Sequence, residues 1–132
     1  MDSKYLLGIE ELDAQHEGIE TLFNALQEAI EDKAQWPRLP ELFASLCEKL
    51  KFHFYAEESI MQIFSYPESQ DHKRSHNEIL KSLESFNGGN LNKAEIKKLK
   101  EQPMQLFLEQ ILTQDMRFAA FIQRNRSRLG LP

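Results

Sequence analysis

The chain has 132 residues and a mass of 15.5 kDa, the size of one domain at roughly 100–200 residues each, and we expect a single domain over residues 1–132. Apolar residues make up 41% and charged residues 28%, with few Gly and Pro, which excludes long disordered tracts and leaves enough apolar side chains for one core. The net charge of −5 argues against a nucleic-acid binder, and no run of about 18 apolar residues exists to span a membrane. The single cysteine, Cys47, excludes an internal disulfide framework; with no basic-then-apolar leader at the start, a cytoplasmic location is expected.

The chain reads as helices. Val is absent, Thr occurs only at Thr21 and Thr113, and the better helix formers dominate. The first apolar pattern, Leu12, Ile19, Leu22, Phe23, Leu26 and Ile30, recurs at three- and four-residue steps and defines one helix face. Asp13 fits its start as a cap or first-turn acid, and Pro37 and Pro40 end it. The second pattern runs from about Pro40 to Phe64, the third from about Ser69 to Phe86. Asn87-Gly88-Gly89-Asn90 is a turn signal, and Asn92 with Glu95 resembles a capping pair. The fourth pattern runs from about Lys93 to Arg126, where Pro103 predicts a kink or a division in two. Arg117, Arg124, Arg126 and Arg128 cluster at its end and read as compensation of the helix C-terminus. Four helices with short connections predict an all-α, antiparallel up-down-up-down four-helix bundle.

Four histidines occur, His16, His53, His72 and His76, each on a predicted helix. His53 and Glu57 are four apart, as are His72 and His76, so each pair shares a face. Asp115 lies on the fourth helix among Ile111, Phe118 and Ile122. Imidazole and carboxylate together suit iron, zinc or manganese, and bundle cores hold two-metal carboxylate sites. A His pair at this spacing is often mere surface decoration, and the polar neighbours of His72 fit that plainer reading. The joint arrangement over four helices favours a metal.

These motifs resemble the hemerythrin family, in particular its single-domain bacterial members. Gly8-Ile9-Glu10-Glu11-Leu12-Asp13-Ala14-Gln15-His16 looks like the family's opening motif. His53-Phe54-Tyr55-Ala56-Glu57 is similar to its His-x-x-x-Glu helix, and Tyr66-Pro67 with His72-x-x-x-His76 follows at family spacing. The resemblance covers roughly residues 5 to 122. It implies a four-helix bundle around two non-heme iron ions, oxo- or hydroxo-bridged, that binds dioxygen or small anions. Carried over, His16 and His53 would hold the oxygen-binding iron, His72 and His76 the other, and Glu57 and Asp115 would bridge them. Ile19, Leu106 and Phe107 would wall the oxygen pocket. Cys47 is expected to pack rather than bind metal, and Glu58 to orient a ligand imidazole or meet solvent.

One motif departs from the family. Where the resemblance leads us to expect His-x-x-x-x-Asp, the segment reads Gln110-Ile111-Leu112-Thr113-Gln114-Asp115, and no spare histidine exists. A Tyr often found three residues after the Asp is Phe118. An amide oxygen is a weaker donor than imidazole, so three outcomes stay open. Gln110 coordinates, it bonds a coordinated water, or it stands clear; in the last two cases both irons would have an exchangeable position, and loss of the second iron, leaving one only, is a further outcome. The expected function is dioxygen binding for storage, delivery or sensing. Competing readings are a peroxidase, an oxidase or a nitric-oxide-handling protein, and a metal-poor signalling module with a protein partner in trans.

Overall fold

The computed structural model describes residues 2–84, 86 and 92–126, so the Asn87–Asn90 turn signal and Arg128 lie outside the described residues. The helices are α1 (Glu10–Glu31), α2 (Leu39–Ile63), α3 (Ser69–Glu84), α4 (Lys93–Gln110) and α5 (Met116–Asn125). No strand occurs among the described residues. Helix α1 packs on α2 and α4, α2 packs on α3, and α3 packs on α4. The contacts therefore close a ring around one hydrophobic cluster that runs from Leu7 to Ile122. Its centre is large and fully buried: Phe23, Phe54, Phe107, Phe118, Leu46, Leu50 and Met61. Cys47 is half-buried against this cluster.

Helix α1 starts without a side-chain cap on Ile9. Asp13 instead reaches back, and its carboxylate accepts from the backbone N–H of Leu7 (2.8 Å) and Gly8 (3.1 Å). Gly8 sits at φ +82°, a conformation that suits glycine, so the chain turns sharply into the helix there. Helix α1 ends before the prolines. A short 3₁₀ segment, Lys33–Arg38, carries Pro37, and Trp36 donates its indole N–H to the Ile30 carbonyl at 3.0 Å. Pro40 does not break anything: it lies in the first turn of α2, where a missing N–H costs nothing.

The fourth predicted helix departs from expectation in a way that bears on function. Pro103 does not divide it; α4 runs through this buried proline. Gln27 of α1 braces the segment by donating to the Lys100 carbonyl at 3.0 Å. The irregularity falls later, as a single wide π turn over Ile111–Asp115 between α4 and α5. A wide turn shifts the ladder from i−4 to i−5 and leaves a carbonyl short of a donor. Here the Thr113 hydroxyl donates to the Glu109 carbonyl (2.8 Å) and Arg117 Nε donates to the Thr113 carbonyl (3.1 Å). Arg117 also lies 3.5 Å from Glu68, so its role extends beyond charge compensation at a helix end.

Helix α4 opens on the expected reciprocal cap. Asn92 Oδ1 accepts from the Glu95 backbone N–H at 2.8 Å, and Asn92 Nδ2 donates to Glu95 Oε1 at 2.9 Å. Asn92→Ala is therefore expected to lower stability by about 1 kcal/mol, measured by chemical denaturation. A change below about 0.3 kcal/mol would show that water replaces the cap without loss.

Candidate metal centre

The ring of helices brings six side chains from four elements to one point. His16 comes from α1, His53 and Glu57 from α2, His72 and His76 from α3, and Asp115 from the wide turn. Each is at most 1% exposed. The spacing rule explains the α2 and α3 pairs, since residues four apart on a helix lie on one face. Gln110 and Asp115 are five apart and would diverge by about 140° on a regular α-helix. The wide turn reduces that divergence, and both residues are buried.

The Nε2 atoms of the imidazoles converge. His16 Nε2 lies 3.0 Å from His53 Nε2, 3.2 Å from Asp115 Oδ2 being its other close approach. His53 Nε2 lies 3.1 Å from Glu57 Oε2. On the other side, His72 Nε2 lies 2.6 Å from Glu57 Oε1 and 2.7 Å from Asp115 Oδ1, and His76 Nε2 lies 3.5 Å from Glu57 Oε1. Two groups result, His16–His53–Glu57–Asp115 and Glu57–His72–His76–Asp115, each with its ligand atoms within 4.8 Å of one another. Each carboxylate presents one oxygen to each group.

The hydrogen-bond ledger tests whether this cluster fits a cation. Nine buried side-chain N and O atoms lack a hydrogen-bond partner among the described residues, and all nine lie in this cluster or next to it. They include both oxygens of Glu57, Asp115 Oδ2, His76 Nε2 and both polar atoms of Gln110. The approaches between Glu57 and the imidazoles are short but lack hydrogen-bond direction. His16 Nε2–His53 Nε2 and His72 Nε2–Asp115 Oδ1 are within hydrogen-bond geometry, but both Glu57 oxygens, Asp115 Oδ2 and His76 Nε2 approach the common centre without a hydrogen bond, as metal ligands do. Burying carboxylates unpaired costs several kcal/mol each, and a cation removes that cost. The donor set of imidazole and carboxylate fits iron, manganese or zinc.

Two further residues orient the ligands. His53 Nδ1 donates to Gln15 Oε1 at 2.6 Å, and His76 Nδ1 donates to Glu58 Oε2 at 2.9 Å. In the neutral ring, either bond leaves the Nε2 lone pair free to face inward. Glu58 therefore takes the orienting role expected of it, whereas nothing in the sequence singled out Gln15. Gln114 donates to Ser75 Oγ at 3.0 Å and ties the wide turn to α3.

The expected pocket walls divide. Ile19 and Phe107 are fully buried, and the Phe107 ring meets His16 edge-on at 5.6 Å. Leu106 is 36% exposed and is not brought to the cluster. One residue from Phe107, it is turned about 100° around the helix and faces outward. Two aromatic contacts were not anticipated: Phe54 stacks on His76 at 3.9 Å, and Phe118 meets His72 edge-on at 5.9 Å. Tyr66 directs its hydroxyl to Glu68 at 3.0 Å, and burial with that carboxylate pushes its pKa up to about 12.

A bundle whose interior carries paired imidazole–carboxylate groups defines a class of metal-binding helical proteins. The chain belongs to the hemerythrin family: the family model described as "Hemerythrin HHE cation binding domain" matches residues 7–126. It is similar to a "Bacteriohemerythrin" of Clostridium acetobutylicum, at 26% identity over 87 residues, 64% of this chain and 67% of that protein. No solved structure matches the chain significantly. Among the described residues no helix is long and apolar enough to cross a membrane.

Burial works against a charged His72, but Asp115 and Glu57 outweigh it and raise its pKa to about 9. Burial pushes the Glu57 carboxyl up, and His53, His72 and His76 outweigh that and hold it well below the ordinary range. The His72 proton stabilises the metal-free fold fully below the ordinary value of 6.5, and that stability is lost as pH rises through about 9. A metal that takes His72 must displace this proton. Anaerobic ferrous titration at about pH 7.5 is expected to release a proton from His72, with apparent affinity rising up to about pH 9. Uptake without proton release would contradict the assignment. Glu58→Ala is expected to weaken metal at the His72–His76 group about 10–100-fold in chelator competition, with the fold intact; an unchanged affinity would remove Glu58 from its orienting role.

Proposed function

We propose that this chain is a non-heme di-iron protein that binds dioxygen, with the two irons held in the two groups that share Glu57 and Asp115. The observation that carries this reading is the division of the carboxylate oxygens: Oε2 of Glu57 and Oδ2 of Asp115 face His53 and His16, and Oε1 and Oδ1 face His72. A carboxylate arranged in this way bridges two cations and reduces their mutual repulsion. An antiparallel up-down-up-down bundle over one domain, residues 1–132, belongs to the same reading. Its support is the ring of contacts α1–α2–α3–α4–α1 and the short connections from α1 to α2 and from α2 to α3.

When bound, an iron pair supplies a reducible centre with a position open to dioxygen. The chain's residues set the conditions around it. His16 and His53, with one oxygen each from Glu57 and Asp115, would hold the position to which the family resemblance assigns dioxygen or a small anion. Phe107, packed edge-on against His16, keeps water from it. Gln15 fixes the His53 ring, and no proton donor beyond the ligands is brought against His16 among the residues described here.

The test is iron per chain in anaerobically purified protein, with an optical spectrum before and after air. About two irons, with new near-ultraviolet and visible bands on aeration, is the expected result. About one iron per chain or fewer, or a spectrum indifferent to air at full loading, would overturn the reading.

A further inference from the structure

We propose that Gln110 is a metal ligand, its Oε1 completing the group formed by His72, His76, Glu57 and Asp115. The proposal rests on the metal centre described above and adds a donor to it. Gln110 is 3% exposed, and both its Oε1 and its Nε2 lack a hydrogen-bond partner. A buried amide without partners is costly, and evolution of an inert packing position would favour an apolar side chain of similar volume. The orphaned polar atoms elsewhere in the described residues belong to the metal cluster or to Gln114 beside Asp115. Gln110 thus shares the one feature that distinguishes the cluster.

Backbone geometry supplies the second argument. Gln110 is the last residue of α4, and Asp115 is the last residue of the wide turn. A π turn returns residue i+5 toward the face of residue i, so this irregularity reduces the divergence between Gln110 and Asp115. Its two side-chain braces, from Thr113 and Arg117, stabilise a turn that a regular helix would not contain. Without Gln110 each group offers two imidazoles and two carboxylate oxygens. With it, the His72–His76 position gains a neutral, hard oxygen donor, and the two positions become unequal. The amide nitrogen carries its protons at neutral pH and donates hydrogen bonds; the oxygen is the end with free lone pairs. Oxygen donors of this kind suit ferrous iron less tightly than imidazole and suit manganese well.

The experiment is anaerobic ferrous titration against a chelator, on the full chain and on Gln110→Leu, Gln110→Glu and His53→Ala. Wild type is expected to take two irons. Gln110→Leu should weaken one of them by at least about 100-fold, more than loss of an orienting partner would cost, and leave the other unchanged within about twofold. Gln110→Glu, which keeps the oxygen, should restore two. In a His53→Ala background, adding Gln110→Leu should abolish the remaining tight iron. Thermal melting of the metal-free chains guards against a folding artefact: removing an unpaired buried amide should raise the Tm of Gln110→Leu by a few degrees.

Two irons at wild-type affinities in Gln110→Leu would overturn the proposal and leave the di-iron reading standing. One iron in both wild type and Gln110→Leu would overturn it and the di-iron reading alike, with the His53→Ala chain showing which position holds that iron. No iron in wild type would overturn both. A lower metal-free Tm for Gln110→Leu, with both irons weakened together, would make Gln110 a packing residue and end the proposal.

Discussion

The fold is organised around a problem of buried charge. Two carboxylates and four imidazoles occupy the middle of an apolar bundle, where Phe54, Phe107 and Phe118 pack against the imidazoles and the ligands are almost fully buried. An ionised carboxylate in such surroundings is tolerated only when paired or bound to a cation. Asp115 and Glu57, 2.6–2.7 Å from His72 Nε2, raise the His72 pKa to about 9 and so favour a proton there when no cation is bound. That single proton does not satisfy Glu57 or Asp115 Oδ2. The packing is therefore complete before the electrostatics are, and the remaining imbalance has the sign and place of a cation.

This constraint explains why the helices are assembled as they are. No helix could supply the cluster alone. Helices α2 and α3 each contribute a pair at the natural four-residue repeat, whereas α1 contributes one imidazole from its buried face. The last contribution, Asp115, comes from a departure from regular geometry, the wide turn at Ile111–Asp115. Such turns carry weaker geometry and a frustrated carbonyl, so they persist where surrounding contacts enforce them. The Thr113 and Arg117 bonds, together with the Gln114–Ser75 bond to α3, are those contacts.

Much of this was legible in the sequence because helical periodicity and ligand spacing are both local signals. The apolar repeat of α1 and the pairs His53–Glu57 and His72–His76 need no tertiary information. The capping pair Asn92–Glu95 is equally local. What could not be read depends on partners distant in sequence. Gln15 adjoins His16 yet serves His53, thirty-eight positions away, and no spacing rule connects them. Leu106 fails as a pocket wall because adjacency in sequence is not adjacency on a helix. Pro103 failed as a break because propensity is a weak prior against packing; buried in the core and braced by Gln27, it stays inside the helix. The five-residue interval from Gln110 to Asp115 was the one visible hint of the wide turn, since no regular helix would place both on one face.

The orienting residues give the cluster a polarity that its ligands alone do not show. On the His16–His53 side the brace is an amide, Gln15, which accepts a hydrogen bond without carrying charge. On the His72–His76 side the brace is Glu58, a carboxylate partly open to solvent. A carboxylate behind an imidazole raises its basicity and strengthens it as a donor; an amide does so less. The same side has one imidazole fewer than the resemblance led us to expect. Glu58 thus strengthens donation on the His72–His76 side, and the neutral Gln15 leaves the other side less electron-rich. A centre built this way separates its two positions by their supporting hydrogen bonds as well as by their ligands. Substitutions behind the imidazoles should tune one position at a time, because Gln15 and Glu58 stand on different helices and touch different rings.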